Sequence, residues 1–246
     1  MANVVVFGAT SAIACEVSKV WAARGDRLFL VGRNPDKLAA VVEALGPAVA
    51  GHVASGFVDG QVNAQLVARA REVLGRIDTA LIAHGDLGDQ LLSEKDPAEA
   101  ERVIAANFTS VVSLLIPLAN HFEAQRAGRL VVISSVAGER GRPRNFTYGA
   151  AKRAVTTYLQ GLRSRLHPHG VAVTTIKLGP VDTPMTVGHP KNLLFATAPR
   201  VARDIVRAAD RRVPEAYVPW FWWPLMAIVR NVPEALFQKL SALSGR

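Results

Sequence analysis

Residues 4–14 read VVVFGATSAIA, an apolar run that leads through a glycine into a helix-forming stretch. Four consecutive apolar residues predict a buried strand, and Gly8 permits a sharp turn directly after it. The first N–H groups of a helix have no partner within the helix, so a helix that follows such a turn can bind a phosphate. A plain strand–helix turn explains the residues equally well, because alanines stand at the two later glycine positions of a nucleotide-binding turn. The residues of the candidate turn are Gly8, Thr10, Ser11, Ala12 and Ile13.

Apolar runs alternate with helix-period stretches beyond this turn. The predicted strands are Val4–Phe7, Leu28–Val31, Thr79–Ala83, Leu130–Ile133 and Val171–Ile176, and the predicted helices include Ala12–Ala23, Pro35–Leu45 and Gln61–Leu74. Continuously apolar strands that alternate with helices are typical of a parallel sheet covered on both faces. With right-handed crossovers, the sequence predicts an α/β fold: a single doubly wound, Rossmann-like domain with a mainly parallel sheet flanked by helices. This domain covers residues 1–212, and an apolar C-terminal segment covers residues 213–246.

Composition narrows the class of protein. The chain has 246 residues and a hydrophobic fraction of 50%, which suits one large globular domain. Its single cysteine, Cys15, excludes an intrachain disulfide, favours a reducing compartment and is interpreted as a buried, inert thiol. The apolar run begins at Val4 with no signal-peptide pattern before it, so we expect a cytoplasmic protein.

The net charge of +9 suggests nucleic acid, an anionic membrane or a phosphorylated ligand as partners. Nucleic acid is the least expected of these, because no zinc spacing, RNA-binding motif or long basic run is present. A basic but otherwise ordinary surface remains an alternative. We expect no metal site, since the close pair His167 and His169 has no neighbouring thiol or clustered carboxylate.

Arg33 follows the second predicted strand, where an acidic residue would bind the adenosine ribose of a dinucleotide. An arginine there can pair with the 2′-phosphate of NADP, so NADP(H) is preferred and NAD(H) stays possible. The alternative is that Arg33 only precedes the helix starting at Pro35. Asp59 either contacts the adenine or caps the helix near Gln61.

Tyr148 and Lys152 are four residues apart in a helix-prone stretch, so they lie on one helical face. A phenol is a weak acid–base catalyst at neutral pH, and a nearby ammonium lowers its pKa. Ser135 ends a predicted strand thirteen positions earlier and faces the crevice where doubly wound folds bind ligands. Its hydroxyl could hold a substrate carbonyl beside the phenol.

These residues, in this order and spacing, resemble the short-chain dehydrogenase/reductase family over about residues 3–212. The resemblance implies an NAD(P)(H)-dependent oxidoreductase in which Tyr148 is the proton donor and Lys152 binds the nicotinamide ribose and lowers the tyrosine pKa. It also implies that Asn107 holds a water for proton relay, and that the enzyme is a homo-oligomer. Further cofactor contacts are implied for Ala83, Gly85, Val181 and Thr183.

The sequence departs from the family pattern at three places. Ala12 and Ala14 replace glycines, His84 lies in a stretch that reads Asn-Asn-Ala-Gly in the family, and Leu178 replaces a proline. These changes put cofactor affinity in doubt more than the fold. His84 either contacts a ligand or, as the favoured interpretation, packs as a satisfied histidine near the turn. A non-catalytic, nucleotide-binding scaffold is therefore kept as an alternative function.

Three short stretches of the sequence indicate a substrate class. Residues 83–89, 137–142 and 145–149 are similar to those of decaprenylphosphoryl-2-keto-ribose reductases, which reduce a keto-sugar on a polyprenyl phosphate for cell-wall arabinose donors. Arg140, Arg142 and Arg144 lie between Ser135 and Tyr148 and are expected to rim the pocket, where guanidinium groups could bind a phosphate. The alternatives are a solvated basic loop and, for the enzyme, a general ketone or 3-oxoacyl thioester reductase.

The C-terminal segment contains the run YVPWFWWPLMAIV at residues 217–229. It is shorter than the roughly 20 residues of a membrane span, and Pro219 and Pro224 interrupt a regular helix. The segment is interpreted as a lid or an oligomer contact, or as a surface that touches lipid. A peripheral, membrane-associated location is thus the alternative to a purely cytoplasmic one.

Overall fold

A seven-stranded parallel sheet forms the centre of the computed structural model, which describes residues 1–57, 59–187 and 193–240. Its strands are β1 (Asn3–Phe7), β2 (Arg27–Gly32), β3 (Val49–Ala54), β4 (Thr79–Ile82), β5 (Gly128–Ser135), β6 (Val171–Leu178) and β9 (Glu215–Val218), and the two-residue strands β7 (Val181–Asp182) and β8 (Ala196–Thr197) pair with each other. The spatial order is β3-β2-β1-β4-β5-β6-β9. The predicted doubly wound fold is therefore confirmed.

Helices cover both faces of the sheet. They are α1 (Ala12–Ala23), α2 (Pro35–Leu45), α3 (Gly60–Leu74), α4 (Gln90–Ser93), α5 (Pro97–Ile104), α6 (Ser110–Gln125), α7 (Phe146–Leu166), α8 (Ala198–Asp210), α9 (Trp222–Asn231) and α10 (Glu234–Phe237). A π-helical stretch, Ala105–Thr109, joins α5 to α6. Asn34, as N-cap with Pro35 following it, starts α2 at the residue predicted from the sequence.

Side-chain alternation along β1 divides the core into two layers. Val5 and Phe7 pack with residues of α3, α6 and α7, whereas Val4 and Val6 pack with residues of α1, α2 and α8. All four are completely buried, as expected for a strand covered on both faces. The chain crosses over between β3 and β4, so the strand order reverses beside β1 and opens a crevice at the carboxyl ends of the strands.

Two strands of the sheet were not among the predicted runs. β3 reads VAGHVA and is only partly buried at one sheet edge, so it has no continuous apolar signal. β9 pairs with β6 at the opposite edge, from Thr175–Glu215 to Leu178–Val218. The C-terminal segment predicted to begin at residue 213 thus contributes a strand to the sheet, because its backbone satisfies the free edge of β6.

The continuous helical run Pro97–Gln125 has the length and mean hydropathy, 1.7, of a membrane-spanning helix. Its apolar side chains include Val111, Leu114, Leu115 and Leu118, which are buried against the sheet in the core. We therefore interpret this run as a core helix, because a buried helix of a globular protein can have the length and composition of a membrane span.

Candidate active site

A single cavity of about 860 Å³ joins the turn after β1 to the amino-terminal part of α7. It lies at the carboxyl ends of the strands, where a doubly wound sheet binds its ligands. Of the residues predicted to form the site, it is lined by Gly8, Thr10, Ser11, Ala12, Ile13, Arg33, Ala83, Gly85, Ser135, Arg142, Arg144, Tyr148, Lys152, Val181 and Thr183. Asp59, Asn107 and Arg140 lie outside its lining.

The turn after β1 depends on Gly8. Its φ of +83° favours glycine, and a Cβ there would lie 2.5 Å from the backbone nitrogen of His84. The N–H groups of Gly8 and Ala9 both donate to the carbonyl of Val31, which ties the turn to β2. Ser11 caps α1, because its hydroxyl accepts a 3.1 Å hydrogen bond from the backbone nitrogen of Ala14.

The two alanines that replace glycines are accommodated differently. Ala14 is completely buried and packs in the core layer with α1 and β1, so its methyl group takes no space from the cavity. Ala12 begins α1 and lines the cavity. The turn therefore keeps a helix amino terminus open to the cavity, and these residues fit the pyrophosphate of a dinucleotide.

Basic side chains lie at the end of the cavity where the sequence predicts the adenosine of a dinucleotide. Arg33 is exposed and lines it together with Lys37, on the first turn of α2. Lys37 was not predicted from the sequence, although it lies only four residues after Arg33. The Asp59 carboxylate accepts hydrogen bonds from the backbone nitrogens of Gln61 and Val62, at 2.7 and 3.3 Å. The contacts of Asp59 are thus those of a helix cap. Asp59 does not line the cavity, so the structure gives no support for a contact with adenine.

Asn107 fastens the loop after β4. Its amide nitrogen donates to the carbonyls of Asp86 and Val103, at 2.6 and 2.8 Å, and its oxygen accepts from the Asp86 nitrogen at 3.1 Å. The side chain is completely buried within the π-helical stretch. A Cβ on Gly85 would lie 2.8 Å from this oxygen, so the loop approaches it closely. The water-holding role implied for Asn107 stays a prediction.

His84 lies under the turn at Gly8. Its ring stacks on Phe57 with centroids 4.4 Å apart, and Nε2 lies 2.9 Å from the Ser110 hydroxyl. Burial, assisted by the nearby charge of Lys152, lowers the pKa of His84 to about 3, so the ring is neutral near pH 7. Its buried Nδ1 has no hydrogen-bond partner among the described residues. The favoured interpretation of a packed histidine agrees with the stacking, although only one nitrogen is paired.

Helix α7 carries Tyr148 and Lys152 into the cavity. The helix sits close to the loop after β5, because Gly149 and Gly138 leave room: a Cβ on Gly149 would lie 2.7 Å from the Ala137 carbonyl oxygen. A Cβ on Gly138 would lie 2.8 Å from the Arg153 nitrogen. This close approach brings Tyr148 within hydrogen-bonding reach of Ser135, whose hydroxyl also accepts from the Ala137 nitrogen at 3.1 Å.

The pKa values in this group differ from the sequence expectation. Burial raises the pKa of Tyr148 to about 12, and the hydrogen bond with Ser135 only partly opposes this. The ammonium of Lys152 lies 5.6 Å from the Tyr148 ring centroid and donates to the Ile133 carbonyl at 3.1 Å. The expected lowering of the tyrosine pKa is therefore outweighed by burial, and the phenol is protonated at neutral pH. Burial also lowers the pKa of Lys152 to about 8.

The loop after β6 closes the cavity. Val181 is buried there, and Thr183 donates a 3.4 Å hydrogen bond to its carbonyl. The Thr183 N–H donates a 3.2 Å hydrogen bond to the Thr186 hydroxyl, which stabilises the conformation of the loop. Both predicted residues thus lie where a ligand near Tyr148 can meet them.

The three arginines after Ser135 separate into two groups. Arg142 and Arg144 line the cavity, as predicted. Arg142 has no hydrogen-bond or ion-pair partner among the residues that the structure describes, and burial together with Arg144 lowers its pKa. Arg140 is different, and its predicted place at the pocket rim is wrong. Its guanidinium donates to the carbonyls of Val229 and Val232 and to Glu234 at 2.8, 2.5 and 2.7 Å, because the C-terminal segment passes over it.

The C-terminal segment is anchored beside the cavity by a buried ionic cluster. Lys177 of β6 lies 2.8 Å from Glu139 and 2.9 Å from Glu215 of β9. Arg230 of α9 lies 3.1 Å from the second oxygen of Glu139. Trp222, the first residue of α9, lines the cavity and was missed as a site residue, because the sequence could not show where the segment folds back.

Comparisons with known proteins agree with this geometry. Residues 2–193 match the family described as short chain dehydrogenase. Over 97% of both chains, the sequence is 35% identical to an uncharacterized oxidoreductase of Mycobacterium tuberculosis. It is 32% identical to an uncharacterized oxidoreductase of Streptomyces coelicolor, covering 97% of this chain and 95% of that one.

Solved structures share the fold. A short chain dehydrogenase from Burkholderia cenocepacia, in complex with NADP, superposes with a TM-score of 0.84 over 97% of both chains at 20% identity. The matched family, the relatives of similar length and the arrangement of Ser135, Tyr148 and Lys152 lead to one conclusion. The chain belongs to the short-chain dehydrogenase/reductase family of NAD(P)-dependent oxidoreductases.

Proposed function

We propose that this chain reduces a ketone to an alcohol with NADPH, and that Tyr148 gives the proton to the carbonyl oxygen. The observation that carries the proposal is that Ser135, Tyr148 and Lys152 line one cavity together with the turn at Gly8. NADPH, when bound, supplies the hydride. The phenol of Tyr148 is protonated at neutral pH, as a proton donor in the direction of reduction must be.

The choice of NADPH over NADH rests on Arg33 and Lys37. Both line the adenosine end of the cavity, and two cations there favour a 2′-phosphate over a bare ribose. The B. cenocepacia dehydrogenase of the same fold holds NADP. Titrating the chain with each cofactor, followed by tryptophan fluorescence, tests the preference. We expect Arg33→Ala to weaken NADPH binding about tenfold, as for one lost charged hydrogen bond, and to change NADH binding less. Equal losses for both cofactors would contradict the assignment.

For the substrate we propose a keto-sugar carried on a polyprenyl phosphate, as in the making of cell-wall arabinose donors. The unpaired, half-buried Arg142 supports a phosphate beside the reacting carbon, with Arg144 on the same wall of the cavity. A partly buried arginine without a carboxylate partner has an unfavourable desolvation energy, and a bound anion would offset this energy. The resemblance of residues 83–89, 137–142 and 145–149 to decaprenylphosphoryl-2-keto-ribose reductases supports the sugar.

The experiment compares three ketones with the purified chain and NADPH. They are farnesylphosphoryl-2-keto-ribose, acetoacetyl-coenzyme A and butanone, and turnover is followed by the loss of NADPH absorbance. We expect the highest kcat/KM for the sugar phosphate, and no turnover above background with Tyr148→Phe. A preference for the thioester would replace the substrate by a 3-oxoacyl thioester. NADPH binding without turnover of any ketone would favour a nucleotide-binding scaffold.

We also propose that the exposed apolar side chains of the C-terminal segment touch the membrane that carries such a lipid. Trp220, Trp223 and Ile228 are 72%, 61% and 63% exposed, and Arg230 lies on the same helix as the last two. Aromatic and basic side chains together favour an anionic lipid surface. Sedimentation with vesicles containing phosphatidylglycerol should capture the chain, and Trp220→Ser with Trp223→Ser should release it. Dimers in solution that dissociate in this variant would instead assign the face to a second copy.

A further inference from the structure

The loop that carries Ser135 into the cavity is a single tight turn. A short 3₁₀ helix, Val136–Gly138, follows Ser135 directly, and the Glu139 nitrogen closes it by donating to the Val136 carbonyl at 3.1 Å. Within this turn, the Ala137 nitrogen donates to the Ser135 hydroxyl at 3.1 Å. The Ser135 hydroxyl is thus held by the same turn that ends at Glu139.

The middle of this turn rests on α7. A Cβ on Gly138 would lie 2.8 Å from the backbone nitrogen of Arg153, so the turn packs directly on the helix that carries Tyr148 and Lys152. This contact fixes the middle of the turn, and a separate set of contacts fixes its end.

The end of the turn is held by the Glu139 carboxylate. The side chain is only 1% exposed, and one oxygen lies 2.8 Å from the Lys177 ammonium of β6. The other oxygen lies 3.1 Å from the Arg230 guanidinium of α9. Lys177 precedes Leu178, the residue of β6 that is paired in register with Ser135. The ion pair therefore ties the turn back to β6 beside the residue that pairs with Ser135.

The energetics of a buried ion pair indicate a role in geometry. Removing two charges from water costs much of the free energy that their attraction returns, so such a pair adds little stability over well-packed apolar residues. It does impose one arrangement, because a displaced partner would leave a buried charge alone. A turn that holds a hydroxyl in the cavity with Tyr148 gains from this restraint, since small displacements of reacting groups slow a reaction.

We infer that Glu139 is a positioning residue, whose ion pairs with Lys177 and Arg230 fix the turn that presents the Ser135 hydroxyl to the substrate carbonyl. Glu139 lies outside the lining of the cavity, so it acts through Ser135 rather than on a ligand. The inference rests on the proposed ketone reduction and connects it with the C-terminal segment, because Arg230 belongs to α9.

The test compares Glu139→Ala with Glu215→Ala. Glu215 of β9 lies 2.9 Å from the same Lys177 ammonium but is not part of the turn, so it is the matched control. With NADPH and farnesylphosphoryl-2-keto-ribose, we expect Glu139→Ala to lower kcat roughly 10–100-fold, the effect of a misplaced contact to a reacting group. NADPH binding should not change. Glu215→Ala should keep the wild-type kcat, and rates are measured at a temperature where each variant is folded.

A double-variant cycle with Ser135→Ala distinguishes positioning from a general loss of structure. If Glu139 acts through the Ser135 hydroxyl, Glu139→Ala should have little further effect on kcat once this hydroxyl is removed. A merely structural role would lower kcat by the same factor in both backgrounds. Equal factors would therefore overturn the inference.

A second measurement follows the turn without any ketone. Hydrogen exchange of the chain labelled with ¹⁵N reports the Ala137 amide, which is bonded to the Ser135 hydroxyl. We expect Glu139→Ala to speed the exchange of this amide and Glu215→Ala to leave it as in the wild type. Should Glu139→Ala not fold, Glu139→Gln replaces it in both measurements; it keeps the length and one oxygen acceptor, so smaller effects of the same sign are expected.

The outcomes separate this inference from the proposed function. An Ala137 amide whose exchange is unchanged in the Glu139 variants overturns the positioning role even where ketone reduction proceeds. If the wild-type chain does not reduce the keto-sugar but the Ala137 amide exchanges faster only in the Glu139 variants, the positioning of the Ser135 turn stands and the proposed reduction fails for this compound.

Discussion

Two buried lysines, Lys152 of α7 and Lys177 of β6, differ in how their charges are satisfied. They are 2% and 3% exposed. Lys177 lies within 3 Å of the carboxylates of Glu139 and Glu215, and these hydrogen bonds outweigh burial and raise its pKa. Among the described residues, the Lys152 ammonium donates only to the Ile133 carbonyl, and burial lowers its pKa to about 8. A structural charge is paired within the protein, whereas the charge in the site is left for a ligand.

The largest expected effect comes from Lys152→Met. If this ammonium serves the reaction, ketone reduction should fall by about 10³-fold or more, the range of a lost acid–base and binding group. The unfolding free energy should not fall, because a buried charge held at a cost is removed; a gain of up to roughly 2–3 kcal/mol follows from the lowered pKa. Steady-state rates and urea unfolding measure the two. A large loss of stability would place Lys152 in the same class as Lys177.

Lys177→Met should act in the opposite way. It leaves the buried carboxylate of Glu139 and its neighbour Glu215 without their shared cation, so we expect a loss of about 3–5 kcal/mol in unfolding free energy. The double variant with Glu139→Gln should recover part of this loss. Urea unfolding checks both, and additive losses would show that the pair is not coupled.

The pH dependence of stability sharpens the contrast. The folded pKa of Lys152, about 8, lies below its ordinary value of 10.5, so the unfolded chain binds more protons between these values. The cost of burying this charge is therefore fully present below pH 8 and is relieved as the pH rises to 10.5. The wild-type minus Lys152→Met difference in unfolding free energy should rise by about 1.4 kcal/mol per pH unit in this window. A flat difference would contradict the lowered pKa.

The smallest expected effects distinguish Arg140, which is paired within the protein, from Arg142, which has no partner among the described residues. Arg142→Ala should raise the KM for an anionic ketone about tenfold, by removing one charged contact, with no loss of stability. Arg140→Ala should instead destabilise the chain by about 1–2 kcal/mol, because the C-terminal segment loses its anchors. Measuring KM and thermal unfolding for both variants tests the distinction. A matched KM increase in Arg140→Ala would return that residue to the pocket.

The sequence predicted best where one local pattern decides the structure. The turn at Gly8 and the helices α1 and α2 follow from caps, periodicity and a positive φ, all of which are local. Ser135, Tyr148 and Lys152, which were predicted from their spacing together with the family resemblance, line one cavity. These features were predictable because the residues that form each of them lie close together in the sequence.

The features that the sequence could not predict depend on contacts between distant residues. Arg140 and Arg142 are two positions apart and look alike, yet only Arg140 meets the carbonyls of Val229 and Val232. Trp222 is buried whereas Trp223 is exposed, and Gly179, which is distant in sequence, leaves room for the Trp222 indole. The pKa of Tyr148 rose instead of falling, because spacing to Lys152 carries no information on burial.

The position of Trp222 has a consequence for how the protein matures during synthesis. The cofactor turn and the Ser135, Tyr148 and Lys152 group are complete once residue 152 has been made, whereas the wall that contains Trp222 is made 70 residues later. Its strand, β9, can dock only on a finished β6 edge. A ribosome-bound chain that ends before β9 therefore has most of the residues that line the cavity but lacks the wall that Trp222 forms, so this wall is the last part of the cavity to be completed.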